Sequence, residues 1–225
     1  MAINTYSTLQ TAVANWLDRN DLTDRIPEFI SLAEATFNRV LRLRAMETTV
    51  ADATPSGSKE DALPTGYLQM REIHLATTPV VSLAYITPEI MYRIRAGSTS
   101  GKPNSYTIVG DNILFGPTPD SAYDYSMTYY KAFDALTDNA PTNWLVLNAP
   151  DLYLYGTLLQ AEPFLMNDER VPLWERGVRQ VINDLQQQDD KDRHSGSEMR
   201  VMNTSGYFCG IRHGTRNRQL YKRTR

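Results

Sequence analysis

The chain has 225 residues, of which 41% are apolar and 22% charged, with a formal net charge of −3. That length and composition supply a core for one large domain or two small ones, and no apolar run approaches the roughly 20 residues that a bilayer-spanning helix needs. The opening MAINTYSTLQTAVANWLDR has neither a basic region nor an apolar one of secretory type, so no signal is expected, and the single Cys209 excludes an intrachain disulfide framework and fits assembly in a reducing compartment.

The N-terminal region reads as two helices. Ser7 and Gln10 have capping-box spacing, with Thr5 as the alternative cap. Leu9, Val13, Trp16 and Leu17 then fall on one helical face. Asn20 and Asp21 break the pattern, and Asp24 is the expected N-cap of a second helix with Pro27 in its first turn. Ile26, Phe29, Ile30, Ala33, Phe37, Val40 and Leu41 trace its apolar stripe. Arg39, Arg42 and Arg44 lie away from most of that stripe, where they are either solvated or meet an acidic neighbour.

The pattern changes after Arg44. METTVAD (46–52) has β-branched alternation, and PSGSKED (55–61) is a polar loop that includes Glu60 and Asp61. LPTGYLQMREIHL (63–75) predicts a turn and a strand with Tyr67, Gln69, Arg71 and Ile73 on one face and Leu68, Met70, Glu72 and His74 on the other, an imperfect alternation. VVSLAYI (80–86) is a further strand, and Thr87-Pro88-Glu89 opens a short helix running to about Ala96. A loop, GSTSGKP (97–103), precedes SYTIVGDNILFGP (105–117), whose two apolar runs around Gly110-Asp111-Asn112 predict a hairpin. YDYSMTYYKAF (123–133) reads as a long strand with alternating aromatics. Thirteen tyrosines in one chain suit half-buried strands and protein interfaces, where one end of the ring is dry and the other wet.

Helical signal returns at TNWLVLNAP (142–150), a short helical turn; Asn148 or Ala149 then precedes Pro150-Asp151 at the start of the next helix. Leu152, Tyr155, Leu158 and Leu159 share a face, and Pro163 ends or kinks that helix. Asn167-Asp168 offers a fresh cap for a last long helix, with Trp174, Val178, Val181, Ile182 and Leu185 as its stripe and a polar end near Lys191. HSGS (194–197) is a linker. The fold class expected is mainly α with a β-rich insertion: a four-helix bundle base from 1–45 and 140–195, a small antiparallel β sandwich or barrel from 46–139, and an extended C-terminal arm at 196–225.

Charge is distributed unevenly. Residues 200–225 carry seven basic side chains and no acid, which leaves −10 on residues 1–199. A segment so basic and so poor in apolar groups does not fold alone and is expected to order against something else. Phosphates are one candidate, with Tyr207, Phe208 and Tyr221 available for stacking. The other is a protein clasp that adds a strand to, or threads into, a neighbour. VMNTSGYFCGI (201–211) has too many apolar and aromatic groups for a purely electrostatic tail, which favours the clasp. The interaction residues expected are Arg200, Tyr207, Phe208, Ile211, Arg212, Arg216, Arg218, Tyr221, Lys222 and Arg223.

No catalytic constellation emerges. The chain contains neither a GxxxxGK[ST] nor a GxGxxG phosphate loop, and no GxSxG elbow. His74, His194 and His213 lie far apart, outside any metal-ligand spacing. Cys209 beside Phe208 reads as a small apolar group at an assembly contact rather than a reactive thiol. Asp189, Asp190 and Asp192 read as solvated acids rather than a cation site, and acids at a helix C-terminus would benefit from a basic partner. No cofactor, metal or enzymatic activity is expected.

The opening TYSTLQTAVANWLDRNDLTDRIPEFISLAEATFNRVLRLRAMETT resembles the start of tailed-bacteriophage head-to-tail adaptor proteins. ALPTGYLQMREIHL, the Tyr-rich YSMTYYKAF and NAPDLYLYGTLLQAEPFLMNDERVPLWERGVRQVINDL extend the resemblance over roughly residues 4–190, and it is weakest in the final 35 residues. The resemblance implies a structural virion protein at the head–tail junction, assembled in the host cytoplasm as a ring of twelve beneath the portal protein. It implies a helical base facing the portal, and a C-terminal arm reaching along the portal or a neighbouring adaptor subunit. It also implies a β-rich insertion receiving a tail nozzle or tail-fibre protein, and a channel passing DNA without sequence-specific binding. No membrane is involved. An acidic body suits such a channel because like charge discourages adhesion of the duplex. The alternative is a DNA-binding accessory protein that grips phosphates with its tail.

Overall fold

The computed structural model describes residues 2–97, 100–165 and 169–193. The expected arm at 196–225, with all ten interaction residues from Arg200 to Lys222 and Arg223, lies outside them, as do Cys209 and the Asn167-Asp168 cap.

Helix α1 (Tyr6–Leu17) starts at Thr5, not Ser7. The Thr5 hydroxyl accepts from Thr8 N–H at 3.3 Å, while Thr8 Oγ1 accepts from Thr5 N–H at 2.9 Å, so two otherwise unpaired donors are satisfied reciprocally. The helix ends at Asp18 in the left-handed region (φ 52°), a conformation that Asp tolerates better than most residues. The expected cap at Asp24 does not form. Asn20–Arg25 is a 3₁₀ turn running straight into α2 (Ile26–Val40), so the residue before α2 is already helical and the first turn relies on Pro27 at its start. The α2 stripe is buried at Ile26, Phe29, Ile30, Ala33 and Phe37, with Leu41 just beyond the helix; Val40 faces solvent.

Two four-stranded sheets follow a 3₁₀ turn at Arg44–Met46. The strands are β1 (Glu47–Ala53), β2 (Glu60–Ala62), β3 (Tyr67–Leu75), β4 (Val81–Ser82), β5 (Ala84–Tyr85), β6 (Ser105–Val109), β7 (Asn112–Gly116) and β8 (Asp124–Lys131). One sheet has the order β1-β8-β3-β4 and is antiparallel throughout; the other is β2-β7-β6-β5, with β5 parallel to β6. The expected all-antiparallel arrangement is therefore corrected, and the described chain is mixed α and β. VVSLAYI is two strands rather than one: Val81–Ser82 pairs in the first sheet and Ala84–Tyr85 in the second, with buried Leu83 at the corner, its N–H donating to the Ile73 carbonyl at 3.0 Å. The alternation of β3 is imperfect, as its sequence reads, and its register with β8 shifts between Tyr67 and Gln69 and again between Met70 and Glu72. Glu60 and Asp61 lie on β2, not in a loop, and Asp61 Oδ2 accepts from the Tyr125 hydroxyl at 3.0 Å. Ile73, Leu75, Ile113, Phe115, Tyr125 and Met127 from both sheets share one apolar core. The β6–β7 hairpin turns at Gly110-Asp111, with Gly110 at φ 61°. Helix α3 (Pro88–Ala96) packs Met91 against Gly116, where any Cβ would lie 2.7 Å from the methionine sulfur.

The chain then forms α4 (Trp144–Asn148), capped by the Asn143 side chain, α5 (Pro150–Gln160) and α6 (Val171–Arg193). Pro163 sits in a 3₁₀ turn that closes α5. The single face expected for α5 is wrong. Leu152, Tyr153, Leu154, Gly156, Thr157 and Leu158 are all buried, so α5 is enclosed on several sides, with α1, α2 and α6 each packed against it. Residues 6–46 and 130–174 thus share a second core, and α6 contributes buried Trp174 with Val178, Val181, Ile182 and Leu185 half-buried along its stripe.

A polar network ties this core to the segment leaving β8. The Tyr153 hydroxyl donates to Glu34 Oε1 at 3.0 Å and accepts from Asn143 Nδ2 at 2.7 Å; Glu34 Oε1 also accepts from Leu136 N–H at 2.8 Å. Burial raises the Glu34 carboxyl above its ordinary 4.5, against the lowering pull of the Leu136 and Tyr153 hydrogen bonds. The folded state therefore favours the protonated acid. Stability from this group is complete below the unfolded-state pKa and is lost as pH rises through the folded one. Glu34→Gln, neutral throughout, should gain thermal midpoint relative to wild type as the pH rises from the ordinary glutamate range through the raised folded pKa. A pH-independent difference between the two melting curves would remove Glu34 as the source.

Candidate assembly surface

The described residues end with α6 at Arg193, and that end is pinned to the first sheet. Arg193 donates from Nε to Asp189 Oδ2 at 2.6 Å and from Nη2 to the Tyr130 hydroxyl at 3.0 Å. Arg71 donates to the same hydroxyl at 3.1 Å. Both guanidinium groups lie against Glu47 Oε1, at 3.0 Å for Arg71 and 3.4 Å for Arg193, as ion-pair contacts rather than aligned hydrogen bonds. The hydrogen bond to Tyr130, and next that to Asp189, hold the Arg193 guanidinium above its ordinary pKa, so it stays charged at any working pH. On the other side, Arg44 N–H donates to Asp189 Oδ1 at 2.7 Å, and Arg44 Nη1 donates to the Asp192 carbonyl at 3.0 Å.

Asp189 is thus not a solvated acid: its side chain is only 11% exposed and accepts from two partners. Arg44 takes the second of its two expected roles by meeting the acidic end of α6, which supplies the basic partner that such an end favours. Arg42 instead donates to the carbonyls of Asn38 and Leu41 and to Gln69, and Arg39 to Thr36. A recess of about 380 Å³ opens beside this junction, lined by Leu43, Arg44, Trp144, Leu185, Gln188 and Asp192 among others. Trp144 forms part of its wall, 39% exposed and stacked on Phe133 at 5.8 Å.

The chemistry of this place is adhesive. Glu47, Asp189 and Asp192 balance Arg44, Arg71 and Arg193, so the charges are spent on each other. Among the described residues no group of three His, Cys, Asp or Glu side chains could hold a metal ion, and no described helix is long and apolar enough to cross a membrane. The junction was invisible in the sequence because Asp189 and Arg44 are 145 positions apart. Only the acids at a helix C-terminus, calling for a cation, pointed to it.

Compared with known families, residues 4–202 match the model described as SU10 adaptor protein. No curated protein matches the chain.

Proposed function

The chain belongs to the SU10 adaptor protein family, a family of structural phage adaptors, and on that premise we propose that it forms a ring, twelve copies in the reading favoured, between the portal and the tail of a virion. The helical base contacts the portal, the β-rich part at 46–139 meets a tail nozzle or tail-fibre protein, and DNA passes through the channel. The observation that carries this reading is the family match over residues 4–202, joined to a basic segment on an acidic body.

Each copy is a monomer whose base is folded before assembly. Docking on a symmetric portal raises the local concentration of neighbours, and residues 200–225 then engage the portal or the adjoining copy. The pinned end of α6 supports this mechanism: it fixes the point from which the arm starts, so the arm's search is confined. Ring closure multiplies contacts that are individually weak.

The test sets the purified portal against duplex DNA. Portal capture that survives moderate salt, with only weak DNA binding, supports the adaptor ring. Micromolar or tighter DNA binding that falls steeply with salt, with no portal capture, supports a DNA-binding accessory protein instead. Within the arm, Tyr207→Ala and Phe208→Ala should weaken portal capture more than Arg223→Ala, because aromatic anchors in an interface centre outweigh rim charges. The reverse order of affinities would make the arm's grip electrostatic.

A further inference from the structure

We infer that the outer face of α1 is a contact between neighbouring copies of this chain. The inference rests on the reading of the protein as one of several adjoining copies, but it is drawn from a different surface than the arm.

The first seventeen residues contain no charged side chain. Tyr6, Leu9, Val13 and Leu17 point inward and account for the apolar half of α1. The outward half carries Ser7, Thr11, Asn15 and Trp16. Trp16 belongs by spacing to the inward stripe, yet it is 44% exposed. Two concavities meet at its ring. One, of about 210 Å³, is lined by Ile3, Thr8, Thr11, Ala12, Asn15 and Trp16. The other, of about 340 Å³, runs between α1, α5 and α6 past Tyr155, Gly177, Val181 and the exposed Leu173. Asp151 and Arg176 also line it, one charge of each sign. Tyr155 meets the Trp16 ring edge-on at 6.0 Å, so the indole is already braced.

Charge decides the occupant. Residues 1–199 carry −10, so two copies repel wherever acidic faces oppose each other. A charge-free helix face lets two such bodies touch without opposing like charges, and its half-exposed tryptophan is a residue type enriched at interface centres. The α1 face itself carries no cation; of the guanidinium groups beside it, Arg176 shares its concavity with Asp151 and Arg170 donates to the Trp16 carbonyl, which argues against nucleic acid or an anionic lipid surface as the occupant. A second copy of the chain is the partner that fits.

The experiment is sedimentation of the full chain under reducing conditions, which keep Cys209 from cross-linking, from micromolar to about millimolar concentration. The substitutions are Thr11→Glu with Asn15→Glu, both at exposed positions, and Gln187→Glu on the exposed side of α6 as the control. Wild type and Gln187→Glu should associate with concentration, and the double variant should need at least about tenfold more protein, with an unchanged melting midpoint. A wild type that stays monomeric throughout, a double variant that associates like wild type, or a control that loses association equally would each overturn the inference. Portal capture is read separately: a chain that self-associates but never binds the portal refutes the portal reading and leaves this contact standing.

Discussion

Removal of residues 200–225 is expected to reduce capture of the protein by purified portal below detection while leaving its melting curve unchanged. Stability should not move, because the cores among the described residues end with α6, where the Arg193 side chain is held by Asp189 and Tyr130. Capture should collapse because the removed segment holds seven cations without an acid, and the four apolar side chains expected to make contact, Tyr207, Phe208, Ile211 and Tyr221. The proposed ring would amplify the loss: when each copy assists the binding of the next, a modest weakening per copy multiplies around the ring. Binding of the shortened chain at wild-type strength would exclude the arm from docking and leave the helical base as the portal contact.

The second large effect concerns the centre of the helical part. Phe37 is fully buried, its ring T-shaped against Tyr153 at 5.4 Å. The same ring occupies the space over Gly156, where an added Cβ would lie 2.4 Å from Phe37 Cζ. Phe37→Ala should destabilise by about 3–5 kcal/mol through lost burial and the cavity left behind. Gly156→Ala should also destabilise, although alanine is the better helix former by about 1 kcal/mol, because overpacking against an immobile ring costs about 1–3 kcal/mol. The two changes should not add. With Phe37 removed, the new methyl enters the vacated space and the helix-propensity gain is recovered, so Gly156→Ala becomes neutral or stabilising in that background. Denaturant titration of the four proteins gives the coupling directly. Additive losses would mean that α2 and α5 do not meet at this point.

That contact also shows what periodicity conveys and what it hides. The α2 stripe was legible because one face of the helix meets the core and the other meets water, so the 3.6-residue repeat survives in the sequence. The β6–β7 hairpin was legible because Gly110 supplies the positive φ that the turn requires. The surroundings of α5 were not legible: enclosed by α1, α2 and α6, it is apolar nearly all round, and a face cannot be picked from a cylinder. Sheet membership was hidden too. Nothing in VVSLAYI marks Leu83 as the corner between sheets, since both halves are equally β-favouring.

At the candidate surface, the acids at the end of α6 were visible but their partners were not. Arg44 and Tyr130 reach Asp189 and Arg193 through the fold, and no local pattern encodes a contact across 145 or 63 positions. Trp16 is the opposite case. Its position predicted burial, and its exposure is informative because no local pattern accounts for it. The arm's ten residues stand out as a charge and composition anomaly, and they lie outside the described part of the chain.

Mixing the full chain with purified portal and counting bound copies by single-particle imaging would show whether the proposed ring forms. The expected image is a closed ring of this protein at one end of the portal, saturating at a fixed number of copies with the C-terminal residues in contact with the portal or an adjoining copy. Scattered or single copies at full saturation, or no binding by a chain that melts normally, would contradict it.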